Sequence, residues 1–147
     1  MENKKIFRII DANLNRSREG LRVCEDITRF LLNDAKYSRR LKLIRQMIFS
    51  GIKNSNLDYA EALKYRDSRG DVGKPTTTAE SKRTGWQGVF LANIERAKES
   101  TRVLEEASKL IDKKLAQRFK KIRYQIYGIE KAIITKHLCL PDSKHKR

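Results

Sequence analysis

Sliding the chain 80 residues along itself brings two stretches into register, and this internal repeat constrains the fold more than any other feature. Residues 12–26 lie against residues 92–106, with Ala12/Ala92, Asn13/Asn93, Arg16/Arg96, Glu19/Glu99, Arg22/Arg102, Val23/Val103 and Glu25/Glu105 identical. At a slightly shorter offset, Leu41-Lys42-Leu43-Ile44-Arg45 lies against Phe119-Lys120-Lys121-Ile122-Arg123. Each half is therefore expected to be a two-helix hairpin. Two such hairpins make an all-α, pseudo-twofold bundle joined by a crossover helix and loop. Packing alone would not demand the same polar residues in both halves.

Apolar spacing sets the expected elements. Ile6, Ile10, Leu14, Leu21, Cys24, Ile27 and Leu31 recur at helical intervals from residue 4 to about 32, where Asn33-Asp34 stop one helix and restart another. A second helix is predicted over 35–52, a short third over 57–65 and a fifth over 113–136. Thr77 or Thr78 is placed to cap a fourth helix reaching residue 110. Both prolines, Pro75 and Pro141, fall where turn residues cluster. One helical domain over 1–138 results, with repeat halves at about 6–52 and 84–136 and a basic tail over 139–147. At 147 residues a chain buries roughly 70% of its unfolded surface, enough for a real core.

Several classes are excluded. Cys24 and Cys139 are too few for a disulfide scaffold, and with no signal-like start a reducing cytoplasm is the expectation. No apolar run approaches the roughly 18 residues of a membrane helix. His137, Cys139 and His145 cluster in the basic end of the chain, where composition alone accounts for them. The formal charge of +16 attracts phosphates on nucleic acids, nucleotides or metabolites without choosing among them, and a solvated Lys-rich exterior explains it equally. Nucleic acid is the weaker partner, because aromatic platforms are sparse and the basic residues alternate with acids.

On a wheel of about 100° per residue, Asn13 sits in the middle of its apolar seam, and Asn93 repeats the placement. A buried amide must be hydrogen-bonded, either to a partner that sets register or to a ligand. The small residues Ser17, Gly20, Ala97 and Ser100 leave room beside each Asn and equally permit close helix packing. Arg16 and Arg96 lie one turn on, where planar guanidinium forks suit phosphate oxygens. Glu19, Arg22, Glu25 and Asp26, with Glu99, Arg102, Glu105 and Glu106, continue along the flank. Arg22 to Asp26 and Glu25 to Arg29 also read as ordinary i,i+4 ion pairs. Arg45 and Arg123 follow an Ile in apolar context and are expected to be partly buried. The loop Gly70-Asp71-Val72-Gly73-Lys74 lacks the glycine that a Walker A motif needs at position 68, where Ser68 stands. Its two glycines still offer backbone N–H groups, and Asp67 and Asp71 are candidate Mg²⁺ ligands; a plain crossover loop is the other reading.

These residues also carry a resemblance. The run Arg8-Ile9-Ile10-Asp11-Ala12-Asn13-Leu14-Asn15-Arg16-Ser17-Arg18-Glu19-Gly20-Leu21-Arg22-Val23-Cys24-Glu25-Asp26, then Gly70-Asp71-Val72-Gly73, residues 92–106 and Phe119-Lys120-Lys121-Ile122-Arg123-Tyr124 together resemble one family over residues 6–131. It is the helical domain found at the N-terminus of many bacterial thiamine-phosphate synthases and also free-standing, understood as a monofunctional hydroxymethylpyrimidine-phosphate kinase. The resemblance implies Mg²⁺- and ATP-dependent phosphorylation of 4-amino-5-hydroxymethyl-2-methylpyrimidine phosphate to the diphosphate, for thiamine biosynthesis. In that reading Arg16, Arg96, Arg45 and Arg123 clamp phosphates, Asp67 and Asp71 carry the metal, and Asn13, Asn93, Glu19, Glu99, Arg22, Arg102 and Gly73 bind substrate. Thiamine-phosphate synthase and a second copy of the chain are the macromolecular partners to consider. The alternative is a noncatalytic ligand-binding domain associated with that synthase. No barrel sequence accompanies the domain, so synthase activity is not implied.

Overall fold

The computed structural model describes residues 2–55, 57–76 and 85–138. Five helices are described: α1 (Glu2–Asp26), α2 (Ala35–Lys53), α3 (Tyr59–Leu63), α4 (Gly85–Ser108) and α5 (Lys113–Ile133). The helical pairs α1–α2 and α4–α5 pack as hairpins, α1 lies along α4, and α2 meets α5. The all-α bundle expected from the repeat is thus the fold observed.

Core positions keep the repeat offset. Ile10, Leu14, Ser17 and Cys24 are buried on α1, and Phe90, Ile94, Ala97 and Leu104, 80 residues later, are buried on α4. Leu41, Ile44 and Ile48 on α2 correspond likewise to Phe119, Ile122 and Ile126 on α5. The central pair is antiparallel: the Cys24 thiol donates to the Phe90 carbonyl at 3.6 Å, and Gly20 faces Asn93 and Ala97. A Cβ at Gly20 would stand 2.8 Å from the Asn93 carbonyl oxygen, so glycine is what lets the two backbones approach here. Burial pushes the Cys24 thiol well above its ordinary pKa, which leaves it a small core group.

The element ends differ from expectation in informative ways. The first helix does not run on as one α-helix: after Asp26 it widens into a π-helical turn, Ile27–Leu31. The Thr28 hydroxyl donates to the Cys24 carbonyl at 2.7 Å, a side chain entering the backbone ladder where the turn widens. Asn33 then takes φ of 51°, a left-handed geometry that Asn tolerates, and the chain reverses into α2. α3 is shorter than predicted, α4 ends at Ser108 rather than 110, and α5 passes into a second π-helical segment, Ile134–Leu138. The caps expected at Thr77 or Thr78, and the tail from residue 139, lie outside the described residues. Among the described residues no helix is long and apolar enough to cross a membrane.

The second helix of each hairpin starts on the same device. Asp34 accepts from the Tyr37 backbone N–H at 3.0 Å, and Asp112 accepts from Lys114 and Leu115 at 3.0 and 3.2 Å. Asp34 also receives Lys136 Nζ at 2.9 Å and lies 2.8 Å from His137 Nε2, which ties the chain's last described segment to the start of α2. The Tyr37 N–H first, then Lys136, hold the Asp34 carboxyl well below the usual carboxylate range. A carboxyl lowered in the folded state stabilises the fold above its unfolded pKa of about 4, and that contribution fades as pH falls further. Asp34→Asn keeps the cap but loses the charge. It is expected to cost about 1–2 kcal/mol at neutral pH, in denaturant titrations, with the gap from wild type closing below about pH 4. A gap unchanged down to pH 2 would contradict this assignment.

Candidate functional site

The crossover breaks the pseudo-symmetry. After α3 the chain turns back over the N-terminal half of α1, and between them lies a cleft of about 550 Å³. Lys5, Arg8, Asp11, Asn13, Asn15 and Arg16 line it from α1; Arg66, Asp67, Ser68 and Asp71 line it from the crossover. Helical spacing explains the α1 set, since positions 5, 8, 12 and 15–16 recur every three or four residues on one face.

One buried acid fastens the two walls. Asp11, 3% exposed, accepts both arms of Arg66, Nε at 2.6 Å and Nη2 at 2.5 Å, with the Tyr59 hydroxyl at 3.3 Å and Asn15 Nδ2 at 3.5 Å. The hydrogen bonds to Asp11 raise the Arg66 guanidinium above its already high pKa, so the bidentate pair stays charged. Beyond this anchor, the loop's hydrogen bonds among the described residues are internal: Asp67 Oδ1 accepts from Gly70 N at 2.8 Å, and Asp71 Oδ1 from Gly73 N at 2.9 Å. The second oxygen, Oδ2, of each carboxylate has no hydrogen bond among the described residues, and both residues line the cleft. Lys5, Arg8 and Arg16 are exposed and have no ion-pair partner among the described residues. The cleft therefore presents three uncommitted cations and two half-committed carboxylates, a combination that accepts an anion together with a divalent cation.

The expected site residues divide. Arg16, Asn13, Asp67 and Asp71 are brought together here. Asn13 is buried; its Nδ2 donates to the Ile9 carbonyl at 2.8 Å, and its carboxamide oxygen accepts nothing among the described residues. Asn93 does the same to Val89 at 2.8 Å, so neither amide pairs with the other. Arg96 is exposed on α4, outside the cleft, and Gly73 is exposed in the loop. Glu19 and Glu99 lie in shallower grooves, Glu19 with Arg18 and Arg22, Glu99 with Lys98 and Arg102.

The remaining arginines are committed to acids of their own hairpin. Arg45 Nη2 lies 3.3 Å from both oxygens of Glu25, and Arg123 Nε 2.9 Å from Glu105. Arg22 bridges Glu25 and Asp26 at 3.4 Å each, and Arg102 reaches Glu105 at 3.7 Å and Glu106 at 3.2 Å. These bridges repeat in both halves and explain why the repeat keeps their residues. The expected Glu25–Arg29 pair does not form, because Glu25 is taken by Arg22 and Arg45 while Arg29 stacks on Phe30 at 4.8 Å. Sequence reading missed Lys5, Arg8, Asp11, Tyr59 and Arg66. Their common signal is that the second half lacks them: Gly85, Gly88 and Leu91 stand at the positions of Lys5, Arg8 and Asp11.

Fold and cleft together define a small all-α domain with a one-sided basic pocket beneath a tethered loop. Residues 8–132 match the ThiD2 family, and the chain belongs to that family. It is similar to the thiamine-phosphate synthases of Nostoc punctiforme (40% identical over 126 residues), Rhodopirellula baltica (38% over 128) and Synechocystis sp. (38% over 130). These alignments cover 85%, 86% and 88% of this chain but 34%, 34% and 36% of the relatives, so the chain spans about a third of their length. No solved structure matches it significantly.

Proposed function

We propose that this chain acts in thiamine biosynthesis as an ATP-dependent kinase, phosphorylating 4-amino-5-hydroxymethyl-2-methylpyrimidine phosphate to the diphosphate. The observation that carries this reading is the cleft itself, which uncommitted Lys5, Arg8 and Arg16 line together with Asp67 and Asp71. Family membership and the thiamine-phosphate synthase relatives support thiamine biosynthesis as the setting.

The chemistry asks little of the protein beyond placement and charge. A phosphate oxygen of the acceptor attacks the γ-phosphorus of ATP, the bond from that phosphorus to the β–γ bridging oxygen breaks, and ADP leaves. The attacking oxygen is already anionic, so no general base is needed. Arg16, with Arg8 and Lys5, holds the acceptor phosphate against the repulsion of the donor chain. Asn13 offers a free carboxamide oxygen to the exocyclic amine of the pyrimidine. Asp67 and Asp71 would hold Mg²⁺, which neutralises charge on the nucleotide phosphates; two carboxylates plus phosphate oxygens suit that ion. Arg66 acts through Asp11, fixing the wall that carries both acids.

A second reading is a noncatalytic domain that binds the pyrimidine phosphate for an associated thiamine-phosphate synthase, favoured by the match covering only 34% of the relatives' length. A coupled ADP-release assay with Mg-ATP, with and without the pyrimidine phosphate and with the product confirmed by mass, decides between them. Substrate-dependent ADP release supports the kinase. Silence with ligand-induced thermal stabilisation supports the binding domain, and silence without stabilisation overturns both.

A further inference from the structure

The internal repeat supplies its own control for each arginine. In the second half, Arg123 places Nε on Glu105 and Nη1 on the Tyr127 hydroxyl at 3.3 Å, with its Cζ 5.1 Å from the centre of the Tyr124 ring. At the matching place in the first half, Arg45 gives only Nη2 to Glu25. Its Nε is buried without any hydrogen-bond partner, and Phe49, at the position of Tyr127, has no hydroxyl to offer Nη1. An unpaired buried donor costs free energy; the Nε itself is enclosed, so a ligand meets Arg45 through the part of its side chain, 17% exposed, that lines a cleft.

Arg45 stands in a cleft of about 570 Å³ formed by the C-terminal end of α1 and the N-terminal half of α2. Arg22, Arg29, Arg39 and Lys42 surround it, and Glu25 is the single carboxylate in the lining. Arg39 and Lys42 are exposed and have no ion-pair partner among the described residues. The second half lacks this surplus: Gln117 replaces Arg39, and Lys109, at the position of Arg29, is held by Glu106 at 2.8 Å. The first half thus gathers five cations around one lining acid, where the second keeps four of them and commits Arg102 and Lys109 to Glu106 as well.

We propose that this cleft is a binding site for an oligophosphate anion, a diphosphate or triphosphate chain, separate from the cleft under the crossover. A lone phosphate would leave most of these cations unmatched. The lining contains no aromatic ring on which a base could stack, so recognition falls on the phosphate chain, whether free or part of a nucleotide. The site is centred about 20 Å further along α1 than the crossover cleft, at 1.5 Å rise per residue, and shares no lining residue with it. The inference is thus independent of the kinase reading.

The test uses the full chain and sodium triphosphate without magnesium, followed by calorimetry and amide chemical-shift mapping. Saturable binding is expected, with shifts centred on residues 22–29 and 38–45. The double variant Arg39→Gln, Lys42→Gln removes two exposed charges and is expected to weaken binding about tenfold or more. Arg16→Gln is expected to leave these shifts and their affinity unchanged within about twofold. ATP binding as tightly as triphosphate assigns recognition to the chain alone, whereas ATP about tenfold tighter makes a nucleotide the source. Shifts centred on residues 5–16, shifts spread over every basic face, absence of saturation, or a double variant that binds like wild type would each overturn the proposal. None of these readouts involves turnover, so an inactive protein leaves the test intact.

Discussion

Arg16→Ala is expected to lower kcat/KM for the pyrimidine phosphate about 100-fold while leaving the melting curve unchanged. The side chain is exposed and makes no ion pair among the described residues, so its removal disturbs no packing. What it removes is a charge-assisted grip on an anion whose repulsion from ATP is the main obstacle to reaction, and one such contact is worth roughly 3 kcal/mol in a transition state. Arg96→Ala supplies the comparison. Arg96 occupies the equivalent turn of α4 but lies outside the crossover cleft, so its loss is expected to change kcat/KM by less than about threefold. Equal losses from both substitutions would restore a clamp drawn from the two hairpins, and full activity in Arg16→Ala would move the acceptor elsewhere.

Arg123→Ala is expected to destabilise the fold by about 3 kcal/mol, a fall in Tm of roughly 6–12 °C. The substitution leaves Glu105, 4% exposed, with only Arg102 at 3.7 Å, and strips Tyr124 and Tyr127 of the guanidinium lying on them. The Tyr127 hydrogen bond and Glu105 both hold the Arg123 pKa above its ordinary value, so the charge persists at any accessible pH. Arg45→Ala is expected to cost about half as much, because Glu25 keeps Arg22 at 3.4 Å and Arg45 already forgoes part of its hydrogen bonding. Replacing both partners, Arg123→Met with Glu105→Leu, is expected to recover most of the loss. Chemical denaturation of the four proteins measures these differences, and equal costs at Arg45 and Arg123 would contradict the asymmetry between the halves.

The fold was legible because its evidence is periodic. Ile10, Leu14 and Cys24 recur at helical spacing, reappear 80 residues later as Phe90, Ile94 and Leu104, and need no tertiary knowledge to be placed in a core. The candidate site was legible only where it coincides with the repeat, at Asn13 and Arg16, or with a turn rich in acids, at Asp67 and Asp71. Comparing halves favours what they share. What they share proved largely architectural: the Glu25–Arg45 and Glu105–Arg123 bridges, the two Asx caps and the two amides folded back on their own helices. The cleft is built from what they do not share. Asp11 has no counterpart in Leu91, and Arg66 lies in a segment with no counterpart at all, so their meeting across 55 residues of sequence depends on where the crossover lands. The π-helical turn at Ile27–Leu31 was hidden for a related reason, since widening a helix by one residue leaves the apolar pattern almost untouched.

The anchoring of the crossover by Asp11 and Arg66 has a consequence for valency. A twofold frame ordinarily offers two equivalent seats, and symmetric dimers that use only one must silence the other by a conformational change. Here the inequality is written into the covalent chain: the connector leaves the first hairpin once, finds its acid on α1, and finds leucine at the corresponding place on α4. Ligand entering the crossover cleft has no identical neighbour within the molecule to compete or cooperate with. Within one chain its saturation is therefore expected to follow a single site, even though the scaffold beneath it is double.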